Sequence, residues 1–219
     1  EVIHDTRDCA SVLLYNRYRD ELGRKAGRMA AFAAWADQFD DGPIAKTLLL
    51  DYDRQSVQHR RLLLAHALPQ RASKEFRAKV LDAISRLEPP HRTQGVPEAA
   101  IEHLEKVATL INTLTGKAKR LRVLAYVKVD EGLSSGSVAG LITDAIGTQV
   151  GVCYKQKGDH INISLRSRRE LPHHLGEITR RIATGLGGFG GGHKHASGAS
   201  IPGKALEKFL EQLDARLSL

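Results

Sequence analysis

The stretch Gly185–Gly198, GLGGFGGGHKHASG, sets seven glycines in fourteen residues around a His193-Lys194-His195 cluster. Glycine weakens helices and strands alike, so a segment this rich in it reads as a loop whose bare backbone has a use. Main-chain N–H groups with no side chain beside them can approach and cradle an anion such as a phosphate. A flexible linker is the alternative, but linkers favour Gly/Ser repeats and do not place two imidazoles and an amine among them. The composition therefore favours a phosphate or nucleotide site. Outward from this segment, Leu175–Thr184 reads as a helix before it. After it come a short strand at Ser200-Ile201 and an amphipathic closing helix over Gly203–Leu217.

The texture of the chain changes near Gly116. Basic Lys117, Lys119, Arg120 and Arg122 lead into a β-rich run, Val123–Val129, followed by a helix over Ser134–Ile146 and strands at Val150–Tyr154 and Ile161–Leu165. Strands alternating with helices predict a small α/β unit. Before Gly116 the chain reads as helices. Asp8 is placed to cap a first helix whose apolar face is Val12, Leu13, Tyr15, Tyr18 and Leu22, ended by Gly23. An alanine-rich helix spans Gly27–Trp35, and the Asp40–Pro43 turn opens another. Asp53 and Ser73 are caps for helices over Asp53–Leu68 and Ser73–Leu87. Pro89-Pro90 breaks the chain, and Pro97 starts a connecting helix carrying Ile101, Leu104, Ala108 and Ile111.

At 219 residues the chain can hold one large or two modest domains, and we divide it into 1–116 and 117–219. Its 42% hydrophobic content is that of a globular protein. No apolar run approaches the roughly 18–20 residues of a membrane helix. The first residues lack both an initiator Met and the basic and apolar regions of a secretory signal, which points to a fragment, a processed or a trimmed chain. Cys9 and Cys153 read as free thiols in a reducing cytoplasm, the expected location. A formal charge of +8 favours polyanionic partners. With five Phe and five Tyr, no aromatic platform for long single strands is obvious.

Three motifs in order carry a family resemblance. Gly190-Gly191-Gly192-His193, two residues, then Ala196-Ser197-Gly198 resembles the GGGH-x-x-A-A/S-G signature of the DHH-associated domain. Upstream, Ser134-Ser135-Gly136-Ser137-Val138-Ala139-Gly140-Leu141 is similar to that domain's serine-rich turn into a helix. Ile163-Ser164-Leu165-Arg166-Ser167 resembles its S-[LF]-R-S strand end. The segment from Asp5 to Tyr18, DTRDCASVLLYNRY, is similar to the helix that follows the DHH triplet of the DHH phosphoesterases. The resemblance implies an α/β chain with a mixed sheet: a helix-rich remainder of a DHH domain, then a small substrate-binding DHH-associated domain.

It also implies a reaction. DHH phosphoesterases include RecJ-like exonucleases, oligoribonucleases and cyclic-dinucleotide phosphodiesterases. Two manganese ions, with magnesium as the alternative, activate a water for in-line attack at phosphorus. On this resemblance Ala36-Asp37 is the late metal-ligand motif, Asp41 being the second choice. Without it, the same stretch is an acidic helix end before Gly42-Pro43. The family's H-x-D-x-D-G and DHH motifs do not occur here, which implies that roughly the first third of a full enzyme stands outside this chain. Activity of the chain alone is then weak or nil.

Residue by residue, each site has a blander alternative. Arg166 is either a phosphate-binding guanidinium or part of a solvated basic turn with Arg168 and Arg169; the resemblance implies the former. His193 is either an exposed loop histidine or a donor to a phosphate oxygen. Ser134 and Ser135 either cap a helix or donate to an anion. Lys194 and His195 fall where the signature varies. His173-His174 reads as surface, since helix-borne metal ligands need i, i+3 or i+4 spacing. Ser197 lacks a G-x-S-x-G elbow, and the cysteines lack C-x-x-C spacing. The expected partners are single-stranded nucleic acid, short oligonucleotides or cyclic dinucleotides, with no membrane. Two other classes stand beside the enzyme: a non-catalytic nucleic-acid-binding or regulatory module, and the related C-terminal domain of alanyl-tRNA synthetase, which recognises tRNA.

Overall fold

A computed structural model describes residues 3–37, 39–130 and 133–219. It divides into two compact units, Glu1–Val107 and Ala108–Leu219. The N-terminal unit is helical: α1 (Ala10–Arg17), α2 (Arg19–Ala36), α3 (Pro43–Leu50), α4 (Arg54–Gln70), α5 (Lys74–Ser85), and the start of α6 (Val96–Lys117), which runs through the division. Small residues let these helices pack closely. Val12, Ala30, Ala34, Ala45 and Leu48 form one buried cluster, and Ala67, Val80, Val96, Ala99 and Ala100 form another. Asp53 and Ser73 cap α4 and α5 as expected, accepting from the N–H groups of Ser56 at 2.6 Å and Phe76 at 3.2 Å.

Two local expectations are corrected. Cys9, not Asp8, is the N-cap of α1, and it makes no side-chain cap bond. The buried Asp8 carboxylate instead crosses to the start of α3, accepting from Ile44 N–H at 3.1 Å and Ala45 N–H at 2.9 Å. A carboxylate meets the orphan donors and positive end of a helix there, so it serves the helix it faces in space rather than the next one in sequence. Gly23 does not end the first helix, which stops at Tyr18. It kinks α2 from inside, at φ +70°.

The C-terminal unit is a mixed six-stranded sheet with helices on both faces. Its elements are β1 (Lys119–Arg120), β2 (Leu124–Lys128), α7 (Ser135–Ile146), β3 (Val150–Lys157), β4 (His160–Ser167), α8 (Leu175–Gly185), β5 (Phe189–Gly192), β6 (Ala196–Pro202) and α9 (Leu206–Leu217). The strand order is β1-β2-β3-β4-β6-β5, with β2 and β3 parallel through the α7 crossover and every other neighbour antiparallel. Alternation sorts the strand residues. Val150, Val152, Ile163, Leu165, Ala199 and Ile201 bury against α8 and α9. Val127 and Cys153 bury against Val138, Ala139 and Ile142 of α7. Gly151 is required beneath α7, because a Cβ there would collide with the Ala139 carbonyl. Asp214 of α9 is buried and holds the entrance to β2, accepting from Val123 N–H at 2.9 Å.

The glycine segment is not a loop. Phe189–Gly192 is the edge strand β5, paired to β6 over four residues. Strand pairing over a run of glycines is possible here because α8 presses on it. Gly176 touches the Gly192 backbone so closely that it leaves no room for a Cβ, and a Cβ on Gly192 would collide with the Ala196 carbonyl. Gly192 also sits at φ +147°, which L side chains rarely adopt. Among the described residues, no helix is long and apolar enough to cross a membrane.

Candidate functional site

The sheet face that α7 occupies is only partly covered. α7 lies over β2, β3 and the end of β4, while α8 packs on β5 and β6 from the opposite face. Directly paired residues on neighbouring strands share a face, so the register lays out three transverse rows on the α7 side. One row runs Gly151, Arg166, Ala196; the next Cys153, Ser164, Gly198, Gly191; the third Lys155, Asn162, Ser200, Phe189.

Arg166 ends β4 with its side chain turned to the first turn of α7. One guanidinium nitrogen, Nη1, donates to the Leu165 carbonyl at 2.8 Å. The other, Nη2, lies where a Cβ on Gly136 would stand, so a larger residue there would displace it. The side chain is half-buried, and burial pulls its pKa below the ordinary arginine value. Among the described residues, no carboxylate pairs with it. It also faces the positive end of α7, where the N–H groups of Ser135 and Gly136 have no intrahelical acceptor. A half-buried cation thus lies against the first turn of a helix. That arrangement suits a phosphate or carboxylate supplied from outside.

Ser134 and Ser135 stand at the same helix start. Ser134 caps α7, its hydroxyl accepting from Ser137 N–H at 3.1 Å and lying 2.8 Å from the Ser137 hydroxyl. Ser135 opens the helix near the buried Cys153 thiol. Burial pushes that thiol up, and the Ser135 hydroxyl opposes the shift.

His193 stands at the far end of the Arg166 row. Its N–H donates to the Ala196 carbonyl at 2.8 Å, and Ala196 is the register partner of Arg166. Two strand spacings, about 10 Å, therefore separate the two backbones. The His193 side chain is exposed. In the main chain of this turn the carbonyls of His193 and Lys194 accept the Gly176 and Leu175 N–H groups, both at 3.0 Å, closing the N-terminus of α8. Gly190, Gly191 and Gly192 are strand residues; Gly190 faces α8, Gly192 packs on Ala196 and Ser197, and Gly191 lies on the α7 side.

Two histidines do more than the sequence suggested. His195 Nδ1 lies 3.0 Å from the Ser167 hydroxyl, while its carbonyl accepts the Ser167 N–H at 3.0 Å. Burial lowers its pKa and the neighbouring Lys194 charge adds to this; a hydrogen bond to the Arg168 backbone works the other way. The imidazole thus fixes the chain immediately after Arg166. His174 is no surface bystander: its Nδ1 accepts the Glu177 N–H at 3.2 Å and caps α8. Neither role has a signature in a short motif, because each depends on a partner met in three dimensions.

The proposed metal ligands lie in the other unit. Asp37 follows α2 as its C-cap residue, and Asp41 sits in the turn before α3; both are exposed. Among the described residues, no three His, Cys, Asp or Glu side chains converge as a metal site. The described residues therefore do not by themselves fit a two-ion centre, and no chemical step is routed through one.

Residues 122–219 match the DHHA1 domain family. No curated protein matches the chain. Over 90% of its length the chain is similar in structure to a DHH-domain protein described as a member of a family of ribosomal proteins. The identity is 17%, the TM-score 0.61, and 51% of that protein is covered. Over 95% of its length it is similar to a pGpG-specific phosphodiesterase from Vibrio cholerae, at 13% identity and a TM-score of 0.56, covering 74% of that protein. Over 94% it is similar to RecJ from Thermus thermophilus in complex with Mn2+, at 16% identity and a TM-score of 0.54, covering 34% of RecJ. These likenesses establish the fold as that of the C-terminal portion of a DHH-family protein with its DHHA1 domain. The chain spans about half the length of the first of these proteins and about a third of RecJ.

Proposed function

We propose, taking the chain as a portion of a DHH-family phosphoesterase that carries a DHHA1 domain, that its C-terminal unit is the substrate grip of a phosphodiesterase. The substrates are single-stranded nucleic acid, short oligonucleotides or cyclic dinucleotides. The observation that carries this reading is the half-buried Arg166 guanidinium, seated on Gly136 at the start of α7 with no carboxylate partner among the described residues. Burying a cation is costly unless an anion compensates it. A bound phosphate supplies that compensation and makes bidentate use of the fork.

In this reading Arg166 and the α7 donors hold a substrate phosphate, and His193 stands across the sheet end to donate to a second phosphate oxygen. His195 and Ser167 position the strand end that bears Arg166. Among the glycines, Gly191 lets a nucleic-acid backbone lie close to the open side of the sheet, while Gly190 and Gly192 seat β5 against α8 and β6. Asp37, with Asp41 as the alternative, offers one carboxylate toward a divalent-metal set, manganese or magnesium, whose other members the described residues do not supply.

The test titrates labelled single-stranded RNA, single-stranded DNA and a cyclic dinucleotide, with a duplex as control, with and without Mn2+. Both binding and hydrolysis are followed. The reading predicts binding of one or more single-stranded or cyclic species in preference to the duplex, without turnover by this chain. Manganese-dependent cleavage lost in Asp37→Ala would place a working metal centre within the chain. Equal binding of duplex and single strand would contradict the grip. A second reading, a non-catalytic binding module, is favoured by the lack of a convergent ligand set among the described residues. It predicts the same binding, and a full-length protein that binds but never cleaves.

A further inference from the structure

The open strip of the C-terminal sheet carries a side chain that phosphate binding does not use. Phe189 is 72% exposed, although it belongs to a strand. Its neighbour Gly190 faces α8, since a Cβ there would stand 3.2 Å from the Ala183 methyl and 3.1 Å from that of Ala199. Alternation then turns Phe189 to the opposite face. Register agrees: Phe189 pairs with Ser200, Ser200 with Asn162, and Asn162 with Lys155. One transverse row thus presents a cation, an amide, a hydroxyl and an aromatic ring across four strands, about 14 Å from end to end. No helix of the C-terminal unit lies over β5 or β6 on this face among the described residues.

The row runs parallel to that of Arg166, four residues away along β4, which is about 13 Å. Between them lies the row holding Gly198 and Gly191, where the floor is backbone and the Arg180 guanidinium stands beside Gly191. Hydrophobic burial does not explain the ring, because it buries almost nothing. A planar π face beside hydrogen-bonding groups, on a bare strip bounded by cations at Arg166 and Lys155, matches the chemistry of a nucleobase on a phosphate chain.

We infer that Phe189 is a base-stacking site. It receives a nucleobase two to three nucleotides along a single strand whose phosphate is held at Arg166, with Asn162 and Ser200 reaching the base edge and Lys155 the adjoining phosphate. This rests on the reading of the C-terminal unit as a nucleic-acid grip and sets the minimum length the grip recognises. A free mononucleotide reaches one end of the strip only. An oligomer of three or more nucleotides reaches both.

The test is fluorescence anisotropy of labelled oligonucleotides of one to eight nucleotides with the full chain, Phe189→Ala, Phe189→Trp and Arg166→Ala. Stacking is expected to make affinity rise between one and about three or four nucleotides, and Phe189→Ala to remove that rise, roughly a tenfold loss. Phe189→Trp retains it, and its fluorescence is quenched by the oligomer but not by inorganic phosphate. An oligomer carrying abasic sites binds the full chain and Phe189→Ala equally. If Phe189→Ala binds every length as the full chain does while Arg166→Ala does not, the stacking site is overturned and the grip stands. If the full chain binds no oligomer, or Arg166→Ala changes nothing, the grip itself has failed and the stacking site with it.

Discussion

Histidines decide how the molecule responds to pH, one residue at a time. His66 of α4 and His103 of α6 lie with ring centroids 5.3 Å apart, and among the described residues neither Nδ1 has a hydrogen-bond partner. Burial lowers both pKa values; the His103 charge adds to the effect at His66, and Lys106 adds to it at His103. His195 is lowered as well, first by burial. Each folded value lies below the ordinary 6.5. The folded state therefore binds fewer protons than the unfolded chain as pH falls below about 6.5. The stability these groups contribute is present above that pH and is lost as pH falls through their folded values. Denaturant midpoints measured from pH 8 to pH 5 are expected to decline below about 6.5, and less steeply in the His66→Gln/His103→Gln double variant. A midpoint that is flat with pH, or falls equally in the variant, would contradict this. Ten histidines stand in the sequence, and nothing in their order says which are buried. Arg166 is legible because a motif surrounds it, whereas the role of His195 emerges only with its Ser167 partner in place.

At the scale of elements, glycine sets where backbones touch. β5 survives as a strand of three consecutive glycines because β6 pairs it on one side and the first turn of α8 seals it. Gly176→Ala would drive a methyl into the Gly192 carbonyl, and it is expected to cost about 1–3 kcal/mol through overpacking. Denaturant titration beside a Gly185→Ala control, whose Cβ meets nothing within 4 Å, measures this. Equal midpoints for the two variants would contradict the packing described. Helix periodicity and caps make most elements readable, from α3 through α9. The edge strand is not, because glycine content reports conformational freedom, and only the neighbouring helix converts that freedom into a pleated strand. The partner of Asp8 escapes the sequence for a related reason: a carboxylate suits any helix start within reach, and the start it meets in space is that of α3.

Taken whole, the molecule joins a helical unit to a mixed-sheet unit, each with its own buried clusters. The alternation of strands and helices after Gly116 foretells the sheet. Strand order cannot be read the same way, since β6 inserts between β4 and β5 only through contacts distant in sequence. The formal charge of +8 makes some attraction for any polyanion inevitable, so bulk charge has to be separated from the built site. Both removing Arg166 and exchanging it for lysine bear on this, because Arg166→Lys keeps the charge and discards the planar fork.

The most direct measurement is the affinity of one labelled single-stranded oligonucleotide for the full chain, Arg166→Lys and Arg166→Ala across a series of salt concentrations. Arg166→Ala is expected to lose roughly 10- to 100-fold, the worth of a charged hydrogen-bonded contact. Arg166→Lys should recover only part of it, and the slope of log affinity on log salt should shrink by about 0.7 when the charge is removed. Equal affinities and equal slopes for the three proteins would mean that the oligonucleotide is held by diffuse positive charge, and that the phosphate seat at Arg166 is wrong.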